Sequence, residues 1–267
     1  MDERVGTYQR ARRKFAMIVY LVTVLWLLIA LAQWLVVSLI SDVKNVFTDY
    51  EWISVICFML GIALTLIFIF FEQSRFVPVL NWVLTFVIVE FSTIGVFALV
   101  ARSKWADMLM WYFVCLLLLF LFILVGAVLP HDLTLDVVII FVISFVFLIT
   151  SIFMLMLYVV TLAPYSFILY QLIVSIIILS FVMYHAQTIT GGRFAEMRVN
   201  DYLLATIILF YDFIIIFLLT FYVQTKYRIA SDALDPGNTT TEDGSDGTSI
   251  ATTTAEARAA KAHAEII

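Results

Sequence analysis

The sequence predicts an all-α integral membrane protein of seven transmembrane helices, and three observations carry that prediction. Of its 267 residues, 64% are hydrophobic and 13% charged, with a mean hydropathy of +1.09. A soluble domain of this size runs about 45–50% apolar and about 25% charged, because it must clothe its surface with polar groups. The apolar residues gather into runs of roughly twenty, the length that about 30 Å of hydrocarbon requires of a helix. None of the runs alternates polar and apolar residues as a barrel strand does, and each is about twice a barrel strand's length. Helices are the remaining structure that satisfies its own backbone in lipid. This composition excludes soluble enzymes, secreted disulfide scaffolds and nucleic-acid-binding modules, and makes membrane lipid the principal partner.

The runs follow in order. Phe15 to Ile40 is uncharged throughout, as is Trp52 to Phe71. Trp82 to Val100 is broken only by Glu90, and Met108 to Leu129 is again uncharged. Val137 to Gly192 contains no Asp, Glu, Lys or Arg and is long enough for two spans. Its one turn signal is Thr161-Leu162-Ala163-Pro164, where proline turns the preceding residue away from helix. Tyr202 to Val223, with Asp212 near its middle, is the seventh. Trp52, Trp82, Trp105 and Trp111 fall at or near span ends, as interfacial aromatics do. The first run is too long for a signal-peptide core and lacks a cleavage site, so it reads as a retained anchor. Cys57 and Cys115 both lie inside apolar runs and read as free buried thiols.

Three segments result: a basic cytosolic N-terminus over 1–14, a membrane domain over 15–223 and a polar tail over 224–267. Arg4, Arg10, Arg12, Arg13 and Lys14 cluster before the first span, with Arg75, Arg193 and Arg198 on the same side. Lys44, Arg102, Lys104, Lys226 and Arg228 lie on the other. The bias places the N-terminus inside. The tail is rich in Thr, Ser, Gly, Asp and Ala and has little to bury, so it reads as disordered. Asn238-Thr239-Thr240 is a glycosylation acceptor pattern that reports topology, since it is modified only in a lumen.

Charges near the middle of a span cost at least about 2.5–3.5 kcal/mol. Glu90 and Asp212 are the two carboxylates in that position. At about 1.5 Å per residue they lie roughly 12 and 15 Å into their spans, near the midplane, where they could face one cavity. His185, towards the cytosolic end of the sixth span, is the third titratable group, and Gln187 sits on another face of the same helix. Glu90 and Asp212 each read as a structural packing contact or as a place on an ion path, and His185 as an interfacial histidine or as a ligand. The scattered Ser and Thr residues read as glue between helices. HExxH, phosphate-loop, GxSxG and Cys/His metal patterns are missing from the sequence, so no enzyme is expected. The residues alone leave a channel, a transporter or a membrane-embedded interaction protein.

The stretches Met183-Tyr184-His185-Ala186-Gln187, Tyr202-Leu203-Leu204-Ala205-Thr206 and Leu209-Phe210-Tyr211-Asp212-Phe213-Ile214-Ile215-Ile216-Phe217 resemble the last two spans of the Bax-inhibitor (lifeguard, TMBIM) family. Glu90, the Arg12-Arg13-Lys14 entry and the seven-span layout extend the resemblance over about residues 10 to 226. It implies a last span wrapped by the other six, residence in endoplasmic reticulum or Golgi membrane, a pH-sensitive calcium leak and suppression of cell death. It also implies partners among the membrane proteins of cell death or calcium handling. Calcium is expected as a permeant ion rather than a cofactor.

In that family two aspartates form a carboxyl pair that senses protons and gates the pore. The second matches Asp212, whereas the first falls on His185. The family arginine that contacts the pair would align near Gln73, with Arg75 two residues on. Two close carboxyls repel once both ionise. A histidine and an aspartate do not, so the resemblance implies a leak whose alkaline opening is weakened. A calcium ion near Asp212 also loses one oxygen ligand, which Glu90 would have to replace.

Overall fold

The computed structural model describes the backbone of residues 2–161 and 164–234, with side chains for 6–161 and 165–221. Among the described residues, seven helices are long and apolar enough to cross a membrane. α1 (Asp2–Leu39) is followed by a short α2 (Ser41–Asp49), α3 (Glu51–Phe70), a single turn α4 (Gln73–Phe76), α5 (Pro78–Ile94) and α6 (Phe97–Ala101). α7 (Trp105–Val128), α8 (Val137–Thr161), α9 (Pro164–Thr190) and α10 (Tyr202–Leu234) complete the order.

The spans are where the hydropathy puts them, and the differences lie at their ends. The basic N-terminus continues the first span as helix, because nothing between Asp2 and Phe15 breaks it. The third span starts at Pro78, whose fixed φ and missing N–H suit the first helical position. It is interrupted at Gly95–Val96, so α5 and α6 together make the crossing. α8 is described to Thr161 and α9 from Pro164, whereas Leu162 and Ala163, in the expected turn, lie outside the described residues. α10 runs on to Leu234, so the tail is helical at its start. Asn238 and the rest of the tail lie outside the described residues. Cys115 is buried and free; Cys57 is free but only partly buried.

α10 is the axis of the bundle. It packs against α1, α5, α7 and α9, and 61% of its most apolar window is buried, against 6% for α8. α8 packs chiefly on α9. The expected collar of six is therefore incomplete, since α8 stands outside it with its Phe and Ile side chains towards lipid. With lipid outside as apolar as the helices themselves, close packing and specific polar contacts hold such a bundle together. An aromatic column supplies much of that packing. Trp34 of α1 stacks on Phe217 of α10 at 4.7 Å, and Phe217 stacks on Phe221 at 4.9 Å. Tyr112 of α7 meets Phe213 edge-on at 5.0 Å. Each such pair contributes about 0.5–1.5 kcal/mol beyond area burial.

Most intramembrane hydroxyls do not bridge helices. Thr23, Thr85 and Thr206 donate to carbonyls one turn back in their own helix, at 2.8 Å each. Back-bonding of this kind satisfies a hydroxyl locally where lipid offers no partner. The glue is confined to a few sites, including Ser54 Oγ, which accepts Ala98 N–H, and a cluster around Tyr211 described below.

Candidate functional site

His185 and Asp212 face each other between α9 and α10. His185 Nδ1 lies 2.8 Å from Asp212 Oδ2, and their side chains are 22% and 9% exposed. An isolated buried carboxylate is costly to ionise in such surroundings, and the imidazole is its hydrogen-bond partner. With Nδ1 protonated the ring donates to the carboxylate; with both nitrogens protonated the pair is a cation against an anion. The Phe181 and Tyr184 rings flank His185 at 6.3 and 5.7 Å.

The backbone carrying His185 is fixed on three sides. Against α7, Gly126 approaches so closely that an added Cβ would lie 2.6 Å from Met183 O and 2.7 Å from Met183 Cα. Two residues beyond the histidine, Gln187 donates to His131 O and accepts Leu133 N–H, both at 2.8 Å, tying α9 to the loop before α8. One residue further, Thr188 O accepts a bond from the Arg12 guanidinium, which also donates to Met197 O.

Arg12 is the residue the sequence reading misplaced most. Instead of being exposed like Arg10 and Arg13, it is buried beneath the loop between α9 and α10. There it lies 3.9 Å from Glu196 and stacks 4.9 Å over the Phe15 ring. Gly191 makes room for it: its φ is +79°, and an added Cβ would fall 2.3 Å from Arg12 Nε. Glu196 is bonded by Tyr8 Oη and the Gly192 N–H. Burial alone would raise its carboxyl, but these bonds and the Arg12 charge outweigh it and hold Glu196 below the ordinary glutamate value. In the loop before α8, Asp132 is held below its ordinary value chiefly by the Thr134 hydroxyl bond, aided by the Phe194 N–H.

The remaining candidates do not join the pair. Glu90 accepts both of its bonds from Gln33 Nε2 of α1, at 2.9 Å, so its partner is on the first span rather than the seventh. Arg75 pairs with Asp201 at 3.4 Å. Asp201 precedes α10 by one residue, about 16 Å along the axis from Asp212. No ion pair joins Arg75 to Asp212 among the described residues. Gln73 is exposed on α4. The expected gate contact is therefore absent: the arginine sits at the loop level, too far from the midplane to reach. Among the described residues no three His, Cys, Asp or Glu side chains gather as metal ligands, so Glu90 and Asp212 do not form a calcium cage.

Beside Asp212 in sequence, Tyr211 points to a different face. Its hydroxyl lies 3.0 Å from Thr65 Oγ1 and 2.7 Å from Ser92 Oγ, joining α10 to α3 and α5. Adjacent residues of a helix point about 100° apart, so α10 carries two separate polar contacts at one depth. Sequence reading assigned no role to Tyr211, Gln33 or Asp201, and took Thr65 and Ser92 only as general glue between helices. The spacing of Tyr211 and Asp212 was visible, but neither periodicity nor motif names the partners.

Comparison of the chain with family models, with curated proteins and with solved structures returns no match.

Proposed function

We propose that this is a Bax-inhibitor-like protein of endoplasmic reticulum or Golgi membrane, its N-terminus in the cytosol, that modulates calcium leak and thereby cell survival. The observation that supports this reading is the 2.8 Å contact between His185 and Asp212 on the most buried span. A titratable pair at the axis of a bundle biases helix packing with its protonation state, since interfaces between packed helices switch between discrete arrangements. Protonation of the imidazole strengthens the pair and draws α9 to α10. Deprotonation weakens it without creating the like-charge repulsion of two carboxylates, so opening at higher pH is shallow.

The test is calcium flux through liposomes holding the purified full chain, from pH 6 to 8, with wild type beside Asp212→Asn and His185→Asp. The reading requires a flux that changes with Asp212→Asn and an alkaline opening that steepens in His185→Asp. An unchanged pH profile in His185→Asp removes the pair from any gate.

A second reading, a non-conducting membrane protein that regulates apoptosis through protein partners, is favoured by the separate tethering of Glu90 on Gln33. With that carboxylate engaged elsewhere, Glu90 does not join Asp212 as a second carboxylate ligand for a divalent ion. Folded protein that passes no calcium at any pH selects this reading.

A further inference from the structure

At the end of the bundle where α1 begins, a groove of about 730 Å³ opens between α1, α7 and the end of α9. Tyr8, Gln9, Arg12 and Arg13 stand at its mouth. Ile123, Leu124 and Ala127 of α7 form its apolar wall. A second cavity of about 490 Å³ shares Arg13, Ala16 and Tyr20 with the first and continues along α1 to Val24. Met17 and Leu21 on its edge are exposed, so the groove opens sideways into lipid.

Depth and charge together identify an occupant. The mouth is at the level where α9 ends, since Thr190, Gly191 and Gly192 line it, and Ala127 is one residue from the end of α7. That is the headgroup level of the bilayer. From Arg13 to Val24 the groove descends about 16 Å, close to the depth of one leaflet's hydrocarbon. Arg12 is consumed by Glu196, Met197 and Thr188, and Glu196 by Arg12, Tyr8 and Gly192. Among the described residues the charge left at the mouth is therefore positive, carried by exposed Arg13 with Arg10 and Lys14 exposed beside it on α1. A basic mouth above an apolar slot one leaflet deep is complementary to an anionic amphiphile.

We infer that this groove is a binding site for one anionic phospholipid, its phosphate at Arg13 and an acyl chain lying between Ala16 and Tyr20 of α1 and the wall of α7, then continuing along α1 to Val24. The bound lipid bridges α1 and α7 beside the Arg12 clamp, and so braces the end of α9 that carries His185.

Native mass spectrometry of the purified full chain, offered phosphatidylserine or phosphatidylcholine, tests this. Wild type is expected to retain one phosphatidylserine about fivefold more strongly than phosphatidylcholine, the discrimination one surface arginine supplies. Arg13→Gln is expected to abolish that preference, and Ala127→Phe to reduce retention of both lipids by filling the slot. Arg13 is exposed, so its variant keeps the test valid even where Ala127→Phe misfolds. Equal retention of the two lipids by wild type, or an unchanged preference in Arg13→Gln, overturns the proposal. Displacement of the lipid by millimolar inorganic phosphate overturns it as well, since that result assigns the site to a free anion.

Discussion

Removing either member of the His185–Asp212 pair should cost far less in company than alone. At 2.8 Å and an effective dielectric of about 20, an imidazolium and a carboxylate attract by about 6 kcal/mol before desolvation. Loss of hydration offsets most of that, and a hydrogen bond to a charged group retains about 1.5–3 kcal/mol net. The modest exposure of His185 sets the expectation at the lower part of that range. Asp212→Asn, His185→Phe and the double variant, unfolded thermally in detergent micelles at pH 6, form a double-mutant cycle. His185→Phe alone leaves a buried carboxylate without its partner and should be the most destabilised of the three. Restoring neutrality with Asp212→Asn should recover part of the loss, giving a coupling of about 1.5–2 kcal/mol. Single losses that add within about 0.5 kcal/mol would show that the two side chains are neighbours without being partners, and the gating argument would fall with them.

Two further outcomes follow from the same end of the molecule. Gly126→Ala puts a methyl group against the Met183 backbone, which has no flexible side chain to move aside; overpacking of this kind destabilises by about 1–3 kcal/mol, and an unchanged unfolding temperature would contradict the close α7–α9 contact. Because Glu196 is held below the ordinary value of 4.5, its contribution to stability is fully present above that pH and is lost as pH falls through the lowered value. Amide exchange across residues 191–201, corrected for intrinsic rate, should therefore speed up as pH falls below the ordinary glutamate range while that of α10 does not. Equal loosening of both segments would place the acid-sensitive group elsewhere.

The spans were legible because lipid imposes one rule on every residue of a run, and that rule is written in composition. The start of α9 at Pro164 was legible for a similar reason, since proline acts through its own ring. Span ends were harder. α1 runs back to Asp2 because Arg and Gln are good helix formers, and hydropathy alone does not register a charged helix. Partners were harder still. Glu90 and Asp212 lie at matching depths, yet depth gives no azimuth, and Glu90 turned out to meet Gln33 on α1. Arg12 had the same appearance as Arg10 and Arg13 in sequence. What distinguishes it is the end of α9 and the loop after it, 176 and 185 residues later, which close over it, a separation no local pattern spans. The His185–Asp212 juxtaposition came from the family resemblance of the last two spans, not from spacing.

The position of α10 at the axis has a consequence for how the molecule is made. Synthesis delivers the axial helix after all the elements that enclose it. Until it inserts, α1, α5, α7 and α9 present to lipid, or to one another, the faces that later close around Phe210, Phe213 and Phe217. The assembling bundle must leave a slot open for a late arrival, and the hydroxyls of Thr65 and Ser92, with His185, wait in that slot as the polar landmarks that Tyr211 and Asp212 will find. Two neighbouring side chains on one helix, engaging two different walls, fix both the rotation and the depth at which the last helix stops.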